Sequence, residues 1–264
     1  MIERATPPKL SAILIVQNEA HCLERCLRSI APVADEIIVL DSGSTDGTVE
    51  IARAAGARVE VTDWPGFGPQ KNRALDRAGG TWVLTIDADE HLTPELAASI
   101  RAAVDAPPVV NGYHLRFLAT WCGKPVRFGD WGGKRHLRLF RRDRARFSDD
   151  AIHERVICAP PHATLDGFMI HDTVATDSEA DEKCVRYAEL SAVKLAARNR
   201  GGVMPALLHG AGTFLRGFLL KGGFLDGAAG WKVASATARG TWLRYRLAGQ
   251  RLAATRGETA RANS

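Results

Sequence analysis

Three carboxylates fall within four residues at Asp87, Asp89 and Glu90, directly after the apolar run 82–86. That run reads as a buried strand, because both of its faces carry apolar or β-favouring side chains. Aspartates spaced i and i+2 at a strand end point the same way. Two or three hard oxygens so placed suit Mg²⁺ or Mn²⁺, which draw their remaining ligands from phosphates and water. A polar turn closing a strand is the plainer reading of the same residues. Two further polar clusters have the same setting. Gln17-Asn18-Glu19 follows the apolar run 10–16, and Asp41-Ser42-Gly43-Ser44-Thr45-Asp46-Gly47 follows the run 36–40.

The elements that must position these clusters alternate. Strands are expected at 10–16, 36–40, 58–61 and 82–86. Helices are expected at 19–30 with Asn18 as N-cap, at 48–55 ending before Gly56, at 70–78, and from Pro94 to about Val104 behind the cap Thr93. Strand and helix in alternation with short links predict an α/β fold with a mostly parallel sheet flanked by helices. Such sheets bind ligands at the carboxyl ends of their strands, where all three clusters sit. No GxGxxG follows the first strand and no GxxxxGK[ST] occurs, so neither dinucleotide fingerprint nor P-loop is present.

After Pro107-Pro108 the texture changes. Strands at 113–118 and 137–140 flank a Gly- and Trp-rich loop at 121–134, and a further run at 165–170 leads to His171. This half reads as a mixed extension that completes a pocket. Residues 182–198 read as a helix. Residues 205–231 are apolar and Gly-rich but cut by Arg216, Lys221 and Asp226, which suits either a segment lying on a membrane surface or an appendage packed on the main domain. The end, 249–264, is expected to fray. The expected domains are 1–180, with a nucleotide half at about 8–106 and a second half at about 107–180, and a basic helical appendage at 181–264.

Composition narrows the function classes. Apolar content of 45% and charged content of 25% are ordinary for a globular chain of 264 residues. Five scattered cysteines, with no zinc-type spacing, read as free thiols in a reducing compartment. The first apolar run ends without a small-residue cleavage site, so no signal peptide is expected. No stretch reaches the roughly 18 consecutive apolar residues of a membrane span. The net charge of +5 is unevenly spread: residues 183–264 hold 14 Lys/Arg against 3 Asp/Glu, while residues 1–182 hold 21 against 27. The acidic front argues against a nucleic-acid partner, and the basic tail suits the anionic cytoplasmic leaflet.

Four blocks, 10–19, 36–48 (EIIVLDSGSTDGT), Gln70-Lys71-Asn72 and 82–90 (WVLTIDADE), together resemble the family 2 glycosyltransferases of GT-A fold, over roughly residues 10–175. His153-Glu154 and the block 221–227 (KGGFLDG) resemble a bacterial subfamily that includes lipopolysaccharide inner-core β-1,4-glucosyltransferases. The resemblance implies inverting transfer of a hexose, glucose first, from a UDP-sugar. The implied acceptor is a membrane glycolipid such as the lipopolysaccharide core, at the cytoplasmic face of the inner membrane. The open alternatives are a polyprenyl phosphate or protein acceptor, or a nucleotide-sugar binder without turnover. Carried over by position, Gln17, Asn18 and Glu19 lie beside the nucleotide. Asp41 accepts from the uracil, with Ser44 and Asp46 shaping its loop, and Lys71 and Asn72 lie near the nucleotide. Asp87 faces ribose or metal, and Asp89 binds a divalent cation, Mg²⁺ or Mn²⁺. His171 resembles a late histidine that serves as a further metal ligand; a core histidine is the alternative.

Such a transfer needs a base for the acceptor hydroxyl. Glu154 is the first candidate, with Asp150 and Asp149 as rivals and His153 as its orienting partner. Trp121 and Trp131 read as a lid, a sugar-stacking platform or packed loop aromatics. The run Arg135, Arg138, Arg141, Arg142, Arg144, Arg146 reads as a contact for a phosphorylated acceptor or as a solvated strand face.

Overall fold

The computed structural model describes residues 8–149 and 154–262. The first half runs β1 (Leu10–Val16), α1 (Leu23–Ile30), β2 (Glu36–Asp41), α2 (Thr48–Ala54), β3 (Arg58–Val61), α3 (Phe67–Arg77) and β4 (Trp82–Thr85). Then come β5 (Glu90–Leu92), α4 (Pro94–Asp105), β6 (Gly112–Trp121), β7 (Lys124–Val126), β8 (Arg135–Arg141) and β9 (Ala145–Phe147). The remainder is β10 (Val156–Cys158), β11 (His162–Thr164), β12 (Met169–Val174), α5 (Asp177–Ala197), α6 (Val203–Leu215) and α7 (Gly227–Ala262). The chain divides into two units, residues 1–117 with 134–171, and residues 118–133 with 172–264.

In the first unit the strands lie in the order β3-β2-β1-β4-β8-β6. The first four are mutually parallel, while β8 runs antiparallel to both neighbours. β1 is buried along nearly its whole length because helices cover both of its faces. Ala12 and Leu14 pack with Leu23, Leu27, Leu96 and Ile100, whereas Ile13 packs with Ala74, Leu75 and Phe140. This is the α/β architecture expected from the alternating runs. The register Val16↔Asp41 and Ile13↔Thr85 puts the ends of β2, β1 and β4 at one edge of the sheet. β5 and β12 form an antiparallel pair in which Glu90 lies opposite His171.

Two expected helix starts move, each for a local reason. The first helix begins at Leu23 rather than Glu19, and its N-cap position is Cys22, not Asn18. Asn18 is left-handed (φ 57°), and its carboxamide oxygen caps the Thr45 amide of the neighbouring loop instead. α3 starts at Phe67, three residues early, since Pro69 falls in the first turn, where a helix has no use for its missing N–H. Thr93 caps α4 as expected, accepting from the Leu96 amide at 3.3 Å.

The second unit is mainly helical. α7 packs along both α5 and α6. Residues 249–262, expected to fray, continue α7. The helix is seated where Gly249 meets Gly202: a Cβ on Gly249 would lie 2.5 Å from the Gly202 amide nitrogen. Trp121 and Trp131 belong to the core of this unit, with ring centroids 5.7 Å apart, and the Trp121 indole N–H donates to Asp177 at 2.8 Å. They are packed loop aromatics rather than a free stacking platform. Val203–Leu220 is an 18-residue helical stretch of mean hydropathy 1.3, only 22% of it buried, and is long and apolar enough to cross a membrane by length and composition. Its last turn widens into a π-helical turn at Arg216–Leu220.

Candidate active site

The loops after β1 and β2 form one knitted wall. The Asp41 carboxylate, 1% exposed, accepts from the Gly43 and Ser44 amides at 2.9 Å each and from the Ser44 hydroxyl. Gly43 sits at φ 88°, a conformation that side chains disfavour, and this lets the loop close on the carboxylate. The Ser44 hydroxyl also accepts the Asn18 amide at 2.8 Å, and the Gln17 carboxamide donates to the Ser42 carbonyl at 3.1 Å. Asp46 accepts from Thr48 through both amide and hydroxyl, and from the Ala20 amide at 3.2 Å. The Thr48 hydroxyl and these amides hold its carboxyl below the usual range. From α3, the fully buried Gln70 donates to the Thr62 and Ser42 hydroxyls at 2.7 and 3.2 Å.

The end of β4 opens onto an ionic network. Lys71, 8% exposed, places its Nζ 3.1 Å from Asp87 Oδ1 and 2.7 Å from Glu154 Oε1. Arg138 on β8 reaches Asp87 Oδ2 at 2.8 Å and Glu90 Oε1 at 2.7 Å. The other Glu90 oxygen accepts the Asp87 amide at 2.9 Å. Asp89 meets His171 Nε2 at 3.1 Å, with the proton's position set by the imidazole tautomer. Lys71, Thr85, Asp87, Arg138, Phe147 and Glu154 line a cavity of about 340 Å³.

Local packing puts Lys71 there. The Asn72 side chain both donates to the Phe147 carbonyl and accepts the Phe147 amide, each at 2.9 Å, which clamps α3 to β9. Gly68 allows the close approach, since a Cβ there would lie 1.9 Å from the Ser148 carbonyl oxygen.

The charges shift one another. Burial works against the Asp87 carboxylate, but Arg138 and Lys71 outweigh it and hold the group far below the ordinary range. Burial pushes Glu90 up, the neighbouring Asp87 charge adds to the push, and Arg138 opposes both. Burial would lower His171, yet the Asp89 carboxylate raises it overall. Burial also raises Glu19, with a smaller push from the Asp89 carboxylate. Asp87 and Glu154 line the cavity together with Lys71, Arg135, Arg138 and Arg155, and Asp89 adds a carboxylate paired with His171.

Of the residues singled out in the sequence, Gln17, Asn18, Glu19, Asp41, Ser44 and Asp46 build the loop wall. Lys71, Asp87, Asp89, Glu154 and His171 lie in the network. Asn72, expected beside the nucleotide, commits its whole amide to the Phe147 backbone and serves as the clamp. Asp87, expected at ribose or metal, has each oxygen on a protein cation. Asp149 is exposed, and Asp150 and His153 lie outside the described residues. The arginine run disperses: Arg141 and Arg144 pair with Asp143, Arg146 with Asp76, and Arg138 turns inward. Gln70 was not foreseen as a site residue, and Arg138, expected on a phosphorylated acceptor or on a solvated strand face, instead bonds Asp87 and Glu90. The signal for Arg138 was its apolar surroundings, Leu137 before and Leu139-Phe140 after, unlike the charged flanks of the later arginines.

A mixed α/β sheet of GT-A type, with acidic clusters at the ends of adjacent parallel strands, defines the glycosyltransferase class. Residues 11–156 match the family model for glycosyl transferase family 2, and the chain belongs to that family. It is 27% identical to the lipopolysaccharide core biosynthesis glycosyltransferase LpsC of Rhizobium meliloti (strain 1021), over 90% of this chain and 93% of that protein. A glycosyltransferase of Rickettsia prowazekii (strain Madrid E) is 44% identical over 56% of this chain and 53% of its own. A TPR repeat-containing protein of Synechococcus elongatus is 43% identical over 52% of this chain, and the chain spans only 32% of that relative's length. Among solved structures, glucosyl-3-phosphoglycerate synthase from Mycobacterium tuberculosis, with Mn²⁺, UDP and glucosyl-3-phosphoglycerate, gives 21% identity and a TM-score of 0.45 over 71% of this chain and 79% of that one.

Removing one partner of a buried ion pair strands the others. Arg138→Met is expected to lower unfolding free energy by about 3–5 kcal/mol, measured by urea denaturation, because it leaves the buried Glu90 without a cation beside Asp87, which keeps only Lys71. A loss below about 1 kcal/mol, the worth of a surface pair, would show that the bridge is not buried in solution.

Proposed function

We propose that this chain is an inverting glycosyltransferase that moves glucose from a UDP-sugar to a membrane glycolipid acceptor such as the lipopolysaccharide core. The observation that carries the reading is Lys71 joining Asp87 and Glu154 within one cavity, beside the Asp89–His171 pair. The likeness to LpsC over 93% of that protein's length supports the acceptor class.

In this reading the acceptor hydroxyl gives its proton to the Glu154 carboxylate. The oxygen forms its bond to the anomeric carbon as the bond to the diphosphate breaks and UDP departs. One displacement inverts the centre and needs one base. Lys71 stands between the base and the diphosphate side, so one ammonium orients Glu154 and faces the leaving group's charge. The loop wall closed on Asp41 forms the nucleoside side of the hollow.

The residues present fit a divalent cation. Asp89 offers a carboxylate oxygen about one-third exposed, and His171 Nε2 lies 3.1 Å away, so a hard oxygen and an imidazole nitrogen stand side by side. Asp89 and His171 would hold Mg²⁺ or Mn²⁺; Asp87, with both oxygens paired, would join only by releasing a cation. Bound there, the ion supplies charge stabilisation for the diphosphate.

The second unit supports a peripheral place on the cytoplasmic face of the inner membrane. Leu207, Leu208, Leu219 and Leu220 are exposed by 51%, 69%, 52% and 83%. Arg216 and Lys221 flank the last of them and share Asp130, at 3.1 and 2.8 Å, which leaves this cluster one net positive charge. Apolar side chains beside cations suit the boundary of an anionic leaflet.

The donor site is tested by titrating UDP with and without Mn²⁺. Asp89→Ala is expected to lose the metal-dependent part of binding, and unchanged binding would remove the metal assignment. Glu154→Gln is expected to retain UDP binding while release of UDP from UDP-glucose with acceptor falls by about 10²-fold or more, the usual worth of a general base. Near-normal turnover would move the base to Asp149 or Asp150. For the membrane, the double substitution Leu208→Glu with Leu220→Glu is expected to lower co-sedimentation with phosphatidylglycerol vesicles; equal sedimentation would refute the surface assignment.

A further inference from the structure

The second unit holds a half-open cavity of about 310 Å³ between α5 and α7, closed at one side by Trp121 and Trp131. Its walls are mostly apolar, with Val174, Ala180, Ala188 and Ala236 among them. Several polar groups on the lining already have partners. Lys183 Nζ donates to the Thr173 carbonyl at 2.9 Å and pairs with Glu179 at 2.7 Å. The Thr237 hydroxyl donates to the Val233 carbonyl at 2.7 Å, the Thr213 hydroxyl donates to Thr241 at 3.4 Å, and the Cys184 thiol meets the Ala236 carbonyl at 3.7 Å. Arg244 differs. Its Nε is buried and has no hydrogen-bond partner among the described residues.

Such an arrangement is costly as it stands, because a buried donor without an acceptor forfeits its bond to water. A water at the buried Nε needs about two to four polar partners, and the cavity wall is mostly apolar. A guanidinium N–H is satisfied best by an anion, through a charge-assisted bond. The cavity therefore asks for an apolar chain ending in an acid. Tyr187, 60% exposed, lines it and gives it an amphipathic rim.

We infer that this cavity binds an anionic lipid, its acyl chain between α5 and α7 against the two tryptophans and its acidic head on Arg244. The site lies outside the residues assigned to sugar transfer and goes beyond the proposed function. A membrane lipid is the source to which the same unit points, through its exposed leucines and its basic charge.

The test uses the full chain and follows tryptophan emission during titration with dodecyl phosphate below its micelle concentration. Dodecanol serves as the chain alone and inorganic phosphate as the head alone. Dodecyl phosphate is expected to bind saturably and at least about tenfold more tightly than either fragment, the scale of one charge-assisted bond. Arg244→Gln is expected to remove that advantage over dodecanol while leaving UDP binding as in the unaltered chain. Ala188→Phe, which fills the cavity, is expected to abolish binding. Ser191→Phe at the same lining provides a second block, with thermal melts confirming that each variant folds. Undiminished binding in both blocked variants, or an Arg244→Gln titration like that of the unaltered chain, would overturn the site. Lysophosphatidylglycerol is expected to bind more tightly than dodecanoate; the reverse order would overturn the membrane source.

Discussion

The first unit depends on one buried ammonium. Lys71 is all but removed from water and has two carboxylates within 3.1 Å, one from the end of β4 and one that follows the β9 hairpin arm. An ammonium so buried is tolerable only with partners in good geometry. That requirement reaches outward. α3 must approach β9 closely, which Gly68 permits and the paired Asn72 amide enforces. β4 must end at Thr85, so that Asp87 turns back toward the helix. The acidic turn, the helix and the hairpin are thus fixed relative to one another by a charge that cannot be left alone.

Arg138 answers the same problem from the opposite side. Asp87 and Glu90 lie close together, and Glu90 is 2% exposed, so two like charges would repel strongly in a medium of low dielectric. The antiparallel β8 inserted beside β4 delivers an arginine whose Nη2 donates to both carboxylates. The switch from parallel to antiparallel strands is therefore also an electrostatic device: it supplies a cation from a strand running against the others, at the edge where the parallel strands end in acid.

Much of this was legible in the chain. The runs 10–16, 36–40 and 82–86 announced parallel strands, and their polar ends announced the edge on which they converge. Thr93-Pro94 marked its helix start to the residue. What was less legible depended on contacts distant in sequence. Asn18 looked like a cap for its own helix because Asn favours that position; its partner was the loop 27 residues on, brought alongside by β1–β2 pairing. Asn72 was read with Lys71 as a ligand-facing pair, though adjacent helical residues face different directions, and the alternate one met Phe147, 75 residues away. Arg138 was submerged in a run of arginines whose members differ only in what folds against them. The tail was read as polar and frayed at its end because composition alone does not reveal that Gly249 and Gly202 let two backbones meet.

The balance of charge at the site bears on the proposed chemistry. Lys71 and Arg138 are both bonded to carboxylates of the site, and Arg135 and Arg155 line the same cavity. A diphosphate brought to that edge would meet Asp87 and Glu154 with Lys71 and Arg138 already committed, and Arg135 and Arg155 in the same lining. Its charge can be met by those arginines and by positive charge that enters with the nucleotide, or by Lys71, with a phosphate taking over one of its two bonds. The second possibility couples the two halves of the reaction. An ammonium drawn toward the diphosphate loosens its hold on Glu154, and the carboxylate becomes available to a hydroxyl only once the donor has arrived. Shared possession of Lys71 would then order the two substrates without any large movement, since the displacement required is the difference between two hydrogen bonds on one side chain.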